Sequence, residues 1–177
     1  MKKISAVLLF VLWAMPAAAQ QTPVADALRG YLQQFSRNLV AATDDFPVSK
    51  FSYKPTAPQQ SVGTIVDHLA GSNNFLCASA AGVAPPTVAA VKPDSTPPDS
   101  LKARLRRSFT FCETALKGLD DSKLSDSVPW FSGKRTRANV ILALPYDWAD
   151  HYSQMANYLR LNGISPPNAR ARAVPVP

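Results

Sequence analysis

The sequence contains two histidines, His68 and His151, and each lies where an imidazole calls for a reason. Leu144, Trp148, His151, Met155 and Tyr158 recur at three- and four-residue steps, so they share one face of a helix. Asp147 lies four residues before His151, so carboxylate and imidazole leave that face one turn apart. A carboxylate in that position can accept a hydrogen bond from the ring or join it in ligating a cation. His68 sits on the shoulder of a second apolar stripe, formed by Val62, Ile65, Val66, Leu69 and Leu76. The remaining chemistry-bearing pair is Cys77 and Cys112, thirty-five residues apart.

Four helices are needed to position these groups. The first covers residues 23–43, with Thr22 as N-cap, Pro23 at the first helical position and an apolar stripe of Ala27, Leu28, Tyr31, Leu32, Phe35, Leu39 and Val40. Residues 48–60 lack a period and read as a loop. The second helix starts at Ser61, another N-cap residue, and dissolves at Gly82, so Cys77 lies two to three turns beyond His68. Residues 83–98 carry five prolines and are too long for a tight turn, which predicts a crossover connection rather than a simple hairpin of helices. The third helix opens at Asp99 or Ser100. Leu101, Leu105, Phe109, Cys112, Leu116 and Leu119 point to one seam, which turns Cys112 inward.

Residues 122–137 read as an irregular link, with Trp130 and Phe131 as a lid over the core. The fourth helix begins at Arg137 or Ala138 and is kinked by Pro145 just before Asp147. Gly163 supplies a left-handed C-cap, and Pro166 and Pro167 end the element. Residues 168–177 read as a disordered tail. The fold class is all-α, a four-helix bundle over residues 20–167 with a long connection between the second and third helices. Asp67 and Asp150 flank the histidines but lie about 100° round the helix from them, on neighbouring faces. Tyr152, Gln154 and Tyr158 read as structural.

Residues 1–19 have the layout of a secretory signal peptide. Lys2 and Lys3 form the charged region, residues 4–15 the apolar run, and Ala17 to Ala19 the small residues of a cleavage site. The expected location is therefore periplasmic or secreted, without stable membrane insertion after cleavage. Loss of the two lysines lowers the formal charge from +7 to about +5. The basic residues are scattered, apart from Lys102/Arg104/Arg106/Arg107 and Lys134/Arg135/Arg137, and do not alternate with aromatics, so the pattern gives no nucleic-acid surface. In an oxidising compartment an even pair of cysteines favours a Cys77–Cys112 disulfide over two buried thiols or a soft metal-ligand pair.

With the helices placed, the chain resembles the DinB-like (YfiT-like) superfamily of metal-binding four-helix bundles. The resemblance lies in Lys54-Pro55, in the run from Ser61 to His68-Leu-Ala, in Asp147-x-x-x-His151-Tyr-x-Gln154, and in Tyr158-Leu-Arg-Leu-Asn-Gly-Ile-x-Pro-Pro167. It spans residues 24–167. The final helix of that family supplies His-x-x-x-His, and here Asp147 stands at the first of those positions. The resemblance implies a three-ligand site of His68, Asp147 and His151, converging in a dry space between two helices. Zinc or nickel is the metal it implies, and the carboxylate adds manganese and iron. The shorter side chain at 147 places the ion nearer the fourth helix. The opposing reading is a metal-free polar pocket in which Asp147 accepts from the histidines.

Two functions remain open, the first implied by the resemblance and the second by the departure from it at Asp147. One is a metal-dependent hydrolase or thiol transferase acting on an unknown small molecule; export weakens the thiol version. The other is a non-catalytic periplasmic bundle that binds a small apolar ligand or a protein, with residues 83–98 and the segment Pro129-Trp130-Phe131 as its contacts. Bundles of this type often pair through an exposed helix face, which leaves a homodimer open.

Overall fold

The structure is a computed structural model, and it describes residues 22–170. The expected signal peptide and residues 171–177 of the expected tail lie outside the described residues. Four helices form the frame: α1 Pro23–Asp45, α2 Val62–Ala81, α3 Pro98–Leu116 and α4 Arg137–Leu161. A two-stranded antiparallel ribbon, β1 Ser127–Trp130 and β2 Gly133–Thr136, precedes α4. The all-α bundle read from the periodicity is thus present, with the ribbon as an addition.

Cross-links along the helices give the topology. Cys77 and Cys112 are joined by a disulfide, Asn73 Nδ2 donates to Ser108 Oγ, and Arg104 Nε donates to Asp67. Low numbers on α2 meet low numbers on α3, so these neighbours run parallel. Arg137 of α4 bonds the carbonyl of Ala80, and the Tyr158 hydroxyl donates to the carbonyl of Gln60, so α4 runs antiparallel to α2. Two adjacent parallel helices require the connecting chain to travel back along the bundle, and residues 82–97 do so. Ser61 fastens this crossover by donating from Oγ to Asp94 Oδ1 at 2.5 Å.

Local chemistry sets the ends. Ser61 caps α2 by accepting from the Thr64 amide at 3.1 Å, and Thr136 caps α4 by accepting from Asn139 at 3.3 Å. Gly82, at φ 74°, and Gly163, at φ 73°, take the left-handed conformation after α2 and α4. The Ile164 amide reaches back to the Leu159 carbonyl at 2.9 Å, as a Schellman ending requires. Thr22 does not cap α1; its hydroxyl donates to Asp26 instead. The first amides of α1, on Val24 and Ala25, are satisfied by the Asp121 carboxylate at 2.9 Å each, from the segment after α3.

The core runs the length of the bundle and includes Trp148, Phe109, Leu144, Met155, Ile65 and Leu69, all buried. Pro145 is accommodated inside α4 without ending it. α3 stops at Leu116, short of the expected Leu119, which nevertheless packs into the core. The link expected to be irregular contains the ribbon. Trp130 packs against the edge of the core, whereas Phe131 is 65% exposed and reaches the core only by stacking on Phe75. A last short turn, Pro167–Ala169, follows Pro166, and Arg170 forms an ion pair with Asp45 at the end of α1.

Candidate metal centre

The site begins with a buried anchor. Trp148 is fully buried and donates from Nε1 to Asn73 Oδ1 at 2.7 Å. Asn73, itself fully buried, also donates from Nδ2 to Ser108 Oγ at 3.0 Å. This amide ties α2, α3 and α4 together. The residue before Trp148 is Asp147, so the anchor fixes the rotation of α4 that turns Asp147 and His151 toward α2.

The three expected ligands converge. One ligand atom from each of His68, Asp147 and His151 lies within 4.8 Å of the others. Asp147 Oδ1 stands 3.4 Å from His68 Nε2 and 3.5 Å from His151 Nε2. The two imidazole rings meet edge to face, with centroids 4.6 Å apart. The expectation of a dry site holds for only part of it. The His151 side chain is 9% exposed and that of Asp147 21%, but that of His68 is 44% exposed. The centre therefore opens to water on the α2 side.

The electrostatics follow from this arrangement. Burial pushes the Asp147 carboxyl up, but hydrogen bonds with His151 and His68 outweigh it and hold the group at about 2. The hydrogen bond with Asp147 raises the His68 imidazole above its ordinary value, against the opposing effect of its partial burial. Two buried atoms have no hydrogen-bond partner among the described residues, Asp147 Oδ2 and His151 Nδ1. A buried carboxylate oxygen without a donor is costly, and a cation is one way to satisfy it. Two imidazoles and a carboxylate suit zinc, nickel, manganese or iron. The donor set and the free Oδ2 therefore fit a divalent ion. His151 Nδ1 departs from the usual pattern, in which a ligating histidine donates its other ring N–H to an acceptor.

Ser72, one turn after His68, was not singled out as a site residue by the sequence, although its spacing of four from the histidine was legible. Its Oγ lies 3.2 Å from His68 Nε2. Ser72, His68 and Asp147 do not form a serine-hydrolase relay. Such a relay places hydroxyl and acid on opposite ring nitrogens, whereas here both meet Nε2. Asp67 pairs with Arg104 and Asp150 accepts from Gln154, so neither contacts the histidines as a hydrogen-bond partner. Tyr152 and Tyr158 serve the frame. The first accepts from the Asn168 amide at 3.0 Å, and the second donates to Gln60 at 3.1 Å.

A family model described as DinB superfamily matches residues 31–155, a span that contains all three candidate ligands. The chain belongs to the DinB superfamily. Solved structures of the same fold include a DinB-like protein from Bacillus subtilis, with a TM-score of 0.62 and 15% identity, covering 85% of this chain and 96% of that one. Another is a DinB-like protein from Bacillus cereus ATCC 10987, with a TM-score of 0.61 and 17% identity, covering 78% of this chain and 94% of that one. At these identities the likeness establishes the shared DinB-like fold alone. No curated protein matches the chain.

Proposed function

We propose that this DinB-superfamily chain binds one divalent metal ion through His68, Asp147 and His151, and acts on a small molecule as a metal-dependent hydrolase or group transferase. One observation carries the reading: three ligand atoms from α2 and α4 lie within 4.8 Å of one another, beside a buried carboxylate oxygen with no other partner. Zinc and nickel are the leading ions, with manganese and iron admitted by the carboxylate. When bound, the ion would supply Lewis acidity at a site whose protein ligands leave positions open. Asp147 would contribute a charge that is ionised at every physiological pH. The exposed side of His68 gives a small molecule its approach. The Ser72 hydroxyl can orient that ring through Nε2 before the site is filled.

Export is part of the proposal. The buried Cys77–Cys112 bridge supports an oxidising compartment. No helix among the described residues is long and apolar enough to cross a membrane. A hydrolytic or non-thiol transfer reaction suits that location better than transfer of cytosolic thiols.

The test is elemental analysis of purified protein, loaded and then desalted. About one divalent ion per chain is expected, and a His151→Ala variant should retain none. A chain that stays metal-free, with a melting temperature indifferent to Zn2+, Ni2+ and Mn2+, overturns the proposal. A second reading, a non-catalytic bundle that binds an apolar ligand, is favoured by a cleft of about 210 Å3 lined by Phe75, Ala78, Val83, Pro85 and Pro129.

A further inference from the structure

The face of α2 that carries His68 continues through Ser72, Phe75, Ser79 and Gly82, at alternating steps of four and three residues. The ribbon lies along this stripe. Ser79 Oγ donates to the Pro129 carbonyl at 2.5 Å, and the ring of Phe131, from the ribbon turn, stacks on Phe75 with centroids 4.5 Å apart and planes 28° apart. Trp130 packs edge-on against Phe131 at 5.1 Å. Phe75 follows His68 by seven residues, so the stack stands about 10 Å along the helix from the candidate metal centre, on the same face.

Fastening the ribbon does not require Phe131. Val128 is buried and the Ser79 bond secures β1, while the Phe131 ring remains 65% exposed. A large aromatic group held in order by another, yet open to solvent, is a surface for a flat apolar group. An apolar cleft lined by Pro129 and Val83 also uses Phe75.

We infer that Phe75 and Phe131 form the apolar subsite of the metal centre, and that its substrate is an amphipathic small molecule. An aryl or short alkyl group rests on the stack, and a polar group that coordinates metal lies about 10 Å away, at His68, Asp147 and His151. This rests on the metal-binding reading and adds the substrate class to it.

The experiment compares two probes on the zinc-loaded protein by calorimetry, acetohydroxamate and 4-phenylbutyrohydroxamate. The phenyl compound should bind roughly tenfold more tightly. Phe131→Ala should remove about threefold to tenfold of that advantage, and leave zinc stoichiometry, zinc affinity and acetohydroxamate binding unchanged. Because Phe131 is mostly exposed, its variant should melt with the parent chain. Zinc uptake without a phenyl preference, or a preference that survives Phe131→Ala, overturns this inference alone. A chain that takes up no zinc overturns the metal reading and this inference with it.

Discussion

Replacing Asp147 by asparagine should destabilise the metal-free protein within a restricted pH window, and the structure gives both edges. The native carboxyl is held at about 2 against an ordinary 3.8, so its ionised form is favoured by roughly 2 kcal/mol relative to the unfolded chain. Its folded value is depressed. That stabilisation is therefore present above 3.8 and disappears as pH falls toward 2. His68 has the opposite sign. Its folded value is raised by Asp147, so its share is fully present below 6.5 and is lost as pH rises through the folded value. The two conditions overlap between about 4 and 6.5, where carboxylate and imidazolium coexist. The exposed His68 ring is screened by water and salt, so roughly 2 kcal/mol is a ceiling. Urea unfolding of the parent and Asp147→Asn proteins, in chelator and across pH 3 to 9, would measure the difference. It should peak near pH 5 and shrink at both ends. A difference that is flat with pH, or a variant more stable at pH 5, would show that Asp147 does not hold a charged imidazole.

The other expectations use the same frame. Protons compete with a metal for His68 Nε2, and the raised value of that ring means that zinc affinity should fall as pH drops through a point above 6.5; titration calorimetry at several pH values would read it. The Cys77–Cys112 bridge closes a loop of thirty-five residues, so its removal by a double alanine exchange should cost about 4 kcal/mol in urea unfolding, and the oxidised chain should weigh two hydrogens less than the reduced one. Trp148→Phe removes the indole donor to Asn73 Oδ1 and should cost about 1–3 kcal/mol, with weaker zinc binding as α4 loses its anchor; a stability loss without any change in zinc affinity would separate the anchor from the site.

What the sequence made legible was local or periodic. The three- and four-residue steps placed all four helices, Ser61 and Gly163 marked their ends, and the proline-rich run of residues 83–98 marked the crossover. The ligand set came from a different source, a resemblance in motifs around His68 and Tyr158, because no period says that two helices will face each other. The ribbon escaped because Pro129 sits in one strand and the other, Gly133–Thr136, is exposed throughout, so neither alternates in polarity. The capping of α1 by Asp121, ninety-seven residues from Val24, has no local signal at all. The openness of His68 was misjudged for a related reason. Its place on the shoulder of a stripe was read correctly, but how far α4 covers that shoulder depends on packing.

The aspartate at 147 changes what the pocket is when no ion is present. Three histidines crowded together repel one another once protonated. Here a carboxylate on the same helix as His151 reaches both rings through Oδ1, at 3.4 and 3.5 Å, and compensates a proton on His68. The metal-free arrangement is therefore already ordered, with Ser72 Oγ meeting His68 at the same ring nitrogen, Nε2. An ion entering must displace the proton that Asp147 helps to keep on His68, yet it finds the ligands preorganised and satisfies the buried Oδ2. The two effects oppose each other and separate by pH. Below the raised value of His68 proton competition dominates and binding is weak, while above it the preorganised pocket and the extra negative charge dominate. An Asp147→Asn exchange would remove the carboxylate and its hold on the proton together, without adding another titratable group. The affinity of that variant for zinc should consequently depend less steeply on pH than that of the parent chain, and calorimetric titrations of the two proteins at pH 6 and pH 8 would compare them. A steeper dependence in the variant would place the competing proton on a group other than His68.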